Sequence, residues 1–508
     1  MSARAVRDPA GRDRVRHPTV TKGVVATPHR LASEVGAQIL RDGGNAIDAA
    51  IAADAVLCVV YPHMTSVGGD LMAIVWAGGE STPVGLIGAG RSGELATIEA
   101  VRERGHEEMP DRGALSVTVP GTVEAWGRLL ERYGSVGLGA VMEPAAGLAQ
   151  DGFVITAQLS EALKSAAGLL GREPGAFALY PPMEGGMVLR NPDLASVLRD
   201  LGRNGINGFY RGAIADAIAA SLKRRGGFVT KQDLATHRSQ WVEPVLFPYR
   251  DTVVYELPPP TVGLVAAAMA IRLEAGQDFR AAHHASYALR DAYITDPDFS
   301  AAPFELFLDS QVAGLGTVDS TARAGDTCYL TAADERGNVV SMIQSVAYDF
   351  GSGMVAEGTG MLLQNRGAYF NLDPRHVNRL EPMKRTMHTL IPALAAREGK
   401  AWASFGTMGG PRQPQLQVQV LRNLVNEAMD PAEAVARPRK MILDDGETLA
   451  VEADYPGAAE MARTDPRVML MPRRHHSFGH AHAIVIDGPG EWRAGADPRS
   501  DGSVEYVR

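Results

Sequence analysis

The sequence predicts a mixed α/β protein built as one large body or two intimate lobes, and three observations point there. At 508 residues the chain is long for one domain and short for four. Its composition, 45% hydrophobic and 21% charged, is that of a globular protein with a sizeable core. Apolar runs of strand character alternate with stretches of helical spacing, and nothing repeats at a fixed period as a solenoid would.

The elements follow in order. After a loose first segment, residues 1–22, Leu31, Val35 and Ile39 fall on one helical face, and Gly43 and Gly44 supply the turn that stops it. The alanine-rich stretch from Ala46 to Val59 is apolar on most faces and predicts a buried helix. Leu71 to Trp76 reads as a short strand bounded by glycines. From Pro120 to Leu273 helical stretches mix with Gly- and Pro-rich joints. DTCYLTAADERGNVVSMIQSV then reads as two strands, Cys328 to Ala333 and Val339 to Val346, joined at a turn holding Gly337. A further helix spans Leu416 to Val425, and another starts at Asp430 and Pro431, a cap followed by a first-position proline.

Several function classes are excluded at this level. A formal charge of −9 without a long basic block argues against nucleic acid as partner. The start is polar and Arg-rich with no apolar secretory core, and the longest apolar run, Ala46 to Val60, is broken by Asp48 and Asp54 and too short to span a bilayer. A cytoplasmic protein with no membrane partner is therefore expected. Cys58 and Cys328 read as two buried thiols. There is no G-x-S-x-G elbow, P-loop, H-E-x-x-H or CxxC pair. His475, His476, His480 and His482 match no familiar metal spacing and read as a solvated loop and strand.

Thr327 opens a strand directly after the stretch STARAGD. A strand threonine by itself signals only β propensity. A hydroxyl becomes a useful nucleophile when a base lies beside it, and an N-terminal α-amine, with a reference pKa of about 7.7 to 8.0, is such a base. Cleavage between Asp326 and Thr327 would create that amine. The same hydroxyl could do the cutting by an N-to-O acyl shift, leaving an ester for water to hydrolyse.

The residues around it carry a resemblance that spans nearly the whole chain from Gly23 onward. GGNAIDAA at Gly43 to Ala50, PHMTSVGG at Pro62 to Gly69 and VPGT at Val119 to Thr122 appear in order. DPDF at Asp296 to Phe299, the threonine strand, FGSG at Phe350 to Gly353, MGG at Met408 to Gly410 and ADPRSDG at Ala496 to Gly502 follow. With these the chain resembles the γ-glutamyltranspeptidase family of N-terminal-nucleophile hydrolases. The resemblance implies a four-layer αββα sandwich and a proenzyme that cuts itself into a large subunit, 23–326 with its leading segment, and a small subunit, 327–508, which together form one compact body. It implies Thr327 as nucleophile, Ser345 as the hydroxyl that orients it, and Gly409 and Gly410 as donors of the oxyanion hole. Glycine suits that task because close backbone approach tolerates no side chain, and one such donor is typically worth about 2.7 to 4 kcal/mol in the transition state. It also implies Arg91, in GAGRSG, as a bidentate clasp for a substrate carboxylate.

The sequence departs from γ-glutamyl enzymes where they hold the substrate's α-amino group. Ala347 stands where an asparagine is expected, Tyr369 where an acid precedes Phe370, Arg366 at a glutamine position, and His388 and Thr389 replace paired serines. A cationic α-amine facing Arg366 would be repelled. The stretch from Phe370 to Met387 is short for a lid, and an open pocket favours water over an amine acceptor. QSVAYDFGSG, LLQNRG and HTLIP resemble the oxamate amidohydrolase and cephalosporin (glutaryl) acylase branch, whose acyl groups carry a carboxylate but no α-amine. The expectation is an amidohydrolase acting on a small carboxylate-bearing amide through an acyl-Thr327 ester, needing no metal or organic cofactor, with Arg91, Arg366, His388, Thr389 and Tyr369 binding substrate. Its partners are that substrate and the two pieces of one precursor. A γ-glutamyl or glutathione hydrolase, an unprocessed non-catalytic homologue, and a homodimer of the processed heterodimer stay open.

Overall fold

The protein, seen in a computed structural model, is described over residues 22–312 and 325–508, with one short strand pair, Val6–Arg7 against Asp13–Arg14, ahead of them. Most of the expected loose segment 1–22 and of the stretch before Asp326 lies outside the described residues.

Two antiparallel sheets form the centre. One has seven strands in the order Ser503–Val507, Gly23–Thr27, Asp326–Asp334, Val339–Ala347, Asp70–Trp76, Val84–Gly88 and Gln240–Val242. The other has six, in the order Glu491–Ala496, Ala481–Gly488, Lys400–Thr407, Ala393–Arg397, Thr252–Glu256 and Val245–Tyr249. Side chains alternate across a strand, so each sheet has two faces to cover. The inner faces meet in a cluster that takes Met72, Ile74, Tyr329 and Ile343 from one sheet and Tyr255, Leu394, Ile484 and Trp492 from the other. The outer face of the seven-stranded sheet, with Leu71, Ala73, Leu330 and Met342, packs against the helices Arg30–Arg41, Ala46–Val60, Thr122–Tyr133 and Leu138–Asp151. The outer face of the six-stranded sheet, with Phe247, Val254, Ala395 and Phe405, packs against the helices Gly263–Glu274, Gln413–Val425 and Pro431–Ala436. These are the four layers of an αββα sandwich.

The helix Ala46–Val60 is buried along its whole length, as its alanine-rich faces imply. It starts on a capping box in which Asn45 accepts from the Asp48 N–H and Asp48 accepts from the Asn45 N–H. Both cysteines are buried, and among the described residues they form no disulfide. Among the described residues no helix is long and apolar enough to cross a membrane.

The histidine cluster departs from expectation. His480 and His482 are buried, with His482 stacked on Tyr329 between the sheets, because the strand Ala481–Gly488 runs through the six-stranded sheet rather than along the surface. Burial pushes the His63 and His482 rings down to about 4 and His480 to about 3. The ADPRSDG motif forms a buried ion network beside them. Asp497 pairs with Arg439 at 2.6 Å and with Arg499 at 3.0 Å, and Arg499 also pairs with Glu452. Arg439 further donates to the carbonyls of Phe478 and Gly479 at 2.8 Å each. Burial works to raise the Asp497 carboxyl, but the two guanidinia outweigh it and hold Asp497 at about 2.

Removing one member leaves buried charge uncompensated, so Asp497→Ala is expected to cost roughly 3 to 5 kcal/mol, seen as a fall of several degrees in the thermal midpoint. The lowered histidines predict acid lability. The unfolded chain takes up protons below about pH 6.5 while the folded chain resists until about pH 4, so stability falls progressively across that window. His482→Phe should regain on the order of 1 kcal/mol at pH 5 and none at pH 8, measured as the difference between thermal midpoints at the two pH values.

Candidate active site

Thr327 lies on a central strand of the seven-stranded sheet, between Gly23–Thr27 and Val339–Ala347, and is buried. Strand alternation puts it on the same face as Tyr329 and Thr331, which bond across to Ser404 of the opposite sheet. The pairing slips by one residue here: Asp326 faces Ala347 while Cys328 faces Gln344. Such a bulge re-aims side chains, and bulges recur next to active sites. The slip leaves Ser345 and Val346 opposite Thr327. Ser345 Oγ accepts from the Ala347 N–H at 2.8 Å, and Ala347 takes a left-handed φ of 80° where the strand ends.

Gly409 and Gly410 come from the other sheet, in the turn between the strand Lys400–Thr407 and the helix Gln413–Val425. Both have positive φ, 144° and 54°, and among the described residues neither backbone N–H has an acceptor. A side chain at position 410 would sit 2.4 Å from the Gly325 nitrogen, so two backbones touch here and only glycine allows it. Gly325 is equally confined: a Cβ there would meet the Ala347 carbonyl at 2.4 Å and the Tyr369 hydroxyl at 3.2 Å. The chain just before Thr327 thus lies in a slot formed by Gly410, Ala347 and Tyr369. On the far side of Thr327, Gln413 Nε2 comes within 3.5 Å of Oγ1.

Arg366, Tyr369, His388 and Thr389 gather into one group. Arg366 is buried, donates from Nη1 to Thr389 Oγ1 at 3.0 Å, and stacks its guanidinium over the Tyr369 ring at 5.1 Å. Its Nε and Nη2 are buried and have no hydrogen-bond partner among the described residues. His388 is buried and bonds through Nε2 to Asp70 Oδ2 at 3.2 Å. The Leu390 N–H approaches His388 Nδ1 at 3.4 Å, which fits a neutral ring that donates from Nε2. Burial and then the Arg366 charge hold His388 far below its usual range. Asp70, which pairs in register with Ser345, also accepts from the Gly90 N–H at 3.2 Å. Burial raises its carboxyl to about 7 against the opposing pull of Arg366. A cleft of about 830 Å³ opens beside this group, lined by Tyr369, Phe370, Met387 and Arg290 among others.

Arg91 is placed differently. Its guanidinium pairs with Asp296 at 3.0 Å and Asp298 at 2.5 Å and donates to the Met383 carbonyl at 2.8 Å. Arg385 binds the same two carboxylates, so two cations balance two anions, and Arg91 borders a separate cavity of about 160 Å³. The substrate clasp expected of Arg91 would require it to exchange these partners. Two residues that sequence reasoning missed stand in the site, Asp70 and Gln413. Asp70 closes the segment PHMTSVGGD and reads only as the start of a strand; Gln413 sits in QPQ after the glycine pair and reads as a helix start.

The γ-glutamyltranspeptidase family model matches residues 32–507. A glutathione hydrolase-like proenzyme of Bacillus subtilis is 36% identical, covering 95% of this chain and 98% of its own length. An oxamate amidohydrolase proenzyme of Klebsiella pneumoniae is 32% identical over 95% of this chain and 98% of its own. Among solved structures, a cephalosporin acylase from Bacillus halodurans superposes with a TM-score of 0.89 at 34% identity, covering 100% of this chain and 99% of its own. The αββα fold and this match lead to one conclusion: the chain belongs to the γ-glutamyltranspeptidase family and is an amide-bond hydrolase of the N-terminal-nucleophile class.

Proposed function

We propose that the protein is a self-processing amidohydrolase that cleaves a small amide whose acyl half carries a carboxylate, of oxamate or glutaryl type. In the precursor, Thr327 Oγ attacks the Asp326 carbonyl, the C–N bond breaks, and water hydrolyses the resulting ester to free a Thr327 α-amine and an Asp326 carboxylate. The large subunit, ending at 326, and the small one, 327–508, stay together as one body. Toward substrate, that amine takes the Oγ proton as Oγ bonds to the carbonyl carbon and returns it to the departing nitrogen, a role usually contributing roughly 10² to 10⁴ in rate. The N–H groups of Gly409 and Gly410 receive the oxyanion, Ser345 orients the nucleophile, and water releases the acyl group from Thr327. The contact of Gly325 with Gly410 supports this reading, because the segment that must be cut already lies against the proposed oxyanion donors.

The observation that carries the substrate class is Arg366. A buried guanidinium with two unused nitrogens is costly unless an anion arrives to accept from them, and a carboxylate fits their fork. We assign the acyl carboxylate to Arg366, with Thr389 and Tyr369 holding the guanidinium and His388 bounding the pocket. The name of the oxamate amidohydrolase relative agrees with such a substrate. The glutathione hydrolase-like relative favours a second reading, a γ-glutamyl substrate. Against it, the α-ammonium of such a substrate would meet Arg366 and the phenol Tyr369 where an acid would be needed.

Three outcomes are expected. Purified protein should resolve on a denaturing gel into two bands, the smaller starting Thr-Cys-Tyr-Leu, whereas Thr327→Ala stays as one band without amidase activity. Glutaryl-p-nitroanilide should be hydrolysed faster than γ-glutamyl-p-nitroanilide; the opposite order would move the assignment to the second reading. Arg366→Met should lose roughly 10- to 150-fold in kcat/KM for the glutaryl anilide, with little change for an uncharged hexanoyl anilide. Because the substitution removes an uncompensated buried charge, its thermal midpoint should not fall.

A further inference from the structure

Gln413 opens the helix Gln413–Val425 and is fully buried. Its neighbours on that helix show what a buried glutamine does in a purely architectural role. Gln415 uses both ends of its amide on Ile442, donating to the carbonyl at 2.9 Å and accepting from the N–H at 2.8 Å. Gln419, half-buried, does the same with Lys440, at 2.8 Å and 3.1 Å. Gln417, whose Oε1 is open, donates to the buried carboxyl of Glu256 at 2.5 Å. Gln413 shares an open Oε1 with Gln417 but differs from all three in what its Nε2 faces. Its Nε2 faces the Thr327 hydroxyl at 3.5 Å, a contact longer than a formed hydrogen bond, and its Oε1 is buried with no partner among the described residues.

An open acceptor beside Thr327 has a use once the chain is cut. The amide nitrogen of Thr327 carries one hydrogen; the amine that replaces it carries two, and three when protonated. In a buried site each added donor needs an acceptor. The amide of glutamine and the N–Cα–Cβ–Oγ edge of an N-terminal threonine have matching spans, so one amide can serve both ends.

We propose that Gln413 is a further catalytic residue whose side-chain amide brackets the nucleophile, Nε2 donating to Thr327 Oγ and Oε1 accepting from the Thr327 α-ammonium. The inference rests on the reading of Thr327 given above. As Oγ bonds to the carbonyl carbon, its proton moves to the α-amine, and Oε1 holds that ammonium until the proton passes to the leaving nitrogen as the C–N bond breaks. Gln413 itself makes and breaks no covalent bond. Before cleavage, Gln413 makes only the Nε2 contact, which together with Ser345 orients Oγ toward the Asp326 carbonyl.

The test compares Gln413→Leu and Gln413→Glu with the parent protein in two assays, the half-time of self-cleavage on a gel and the pH profile of glutaryl-p-nitroanilide hydrolysis by processed enzyme. Gln413→Leu should slow self-cleavage and lower kcat, each by roughly 10- to 100-fold, with KM within about threefold. Its acid limb in kcat/KM should move to lower pH, because the ammonium loses an acceptor. Gln413→Glu keeps the volume and places a carboxylate beside the ammonium, so the limb should move up by about one pH unit. A purely architectural glutamine would leave both limbs where they are. If Gln413→Glu shows the parent's acid limb and self-cleavage half-time, the proposal is overturned even where Gln413→Leu does not fold. The self-cleavage arm needs no substrate. Thr327→Ala separates the two levels: if it is still cut, the nucleophile assignment fails, whereas an uncut Thr327→Ala with unaltered Gln413 variants removes Gln413 alone.

Discussion

The contact between the backbones of Gly410 and Gly325 is the constraint on which the site depends. One glycine belongs to the turn after a strand of the six-stranded sheet, the other to the segment that enters the seven-stranded sheet at Thr327. They can touch only because the two sheets pack face to face and because neither residue has a Cβ. The network of Asp497, Arg439, Arg499 and Glu452 lies behind this contact. It fixes the Phe478 and Gly479 carbonyls, and a Cβ on Gly479 would stand 2.3 Å from the Met408 carbonyl, directly before the glycine pair. The position of the glycine pair proposed as oxyanion donors is thus set by buried charge on one side and sheet packing on the other.

Within that frame the pocket is unusual in how it treats charge. Arg91 and Arg385 are neutralised by Asp296 and Asp298, Arg439 and Arg499 by Asp497 and Glu452. Arg366, more deeply buried than Arg91, has a threonine hydroxyl, an aromatic face and the electrostatic reach of the Asp70 carboxyl, but no ion pair among the described residues. Among the described residues Arg272 is also buried without an ion pair, but two of its nitrogens donate to the Ala268 and Val312 carbonyls, whereas Arg366 keeps two nitrogens without a partner, as the proposed anion site requires. Burial and the Arg366 charge keep the nearby His388 imidazole, which bonds to Asp70, neutral, so the pocket does not accumulate a second cation.

Much of this was legible in the sequence, for identifiable reasons. The strands on either side of Gly337 follow from alternation and a turn residue, and they appear as Asp326–Asp334 and Val339–Ala347. The helix Ala46–Val60 follows from alanine on every face and an Asn–Asp start. What sequence could not supply is partnership. Arg91 and Arg366 are both arginines in glycine-containing loops, and only the fold shows that one is paired and the other not. Asp70 lies some three hundred residues from His388, and Gln413 differs from Gln415 only in what the fold puts opposite it. His480 and His482, separated by one residue, look like a surface strand in the sequence and are buried only because a second sheet is laid over them.

The sheet order has a consequence for the molecule after a cut at residue 326. The strand Gly23–Thr27 is zipped on one edge to Asp326–Asp334 and on the other to Ser503–Val507, while Val339–Ala347 is zipped to Asp70–Trp76 and Ala393–Arg397 to Thr252–Glu256. Among the described residues the two polypeptides are interwoven like the fingers of clasped hands, joined along four inter-strand seams. Severing one peptide bond therefore relaxes the chain locally without freeing either piece, and each fragment depends on the other to complete both of its sheets.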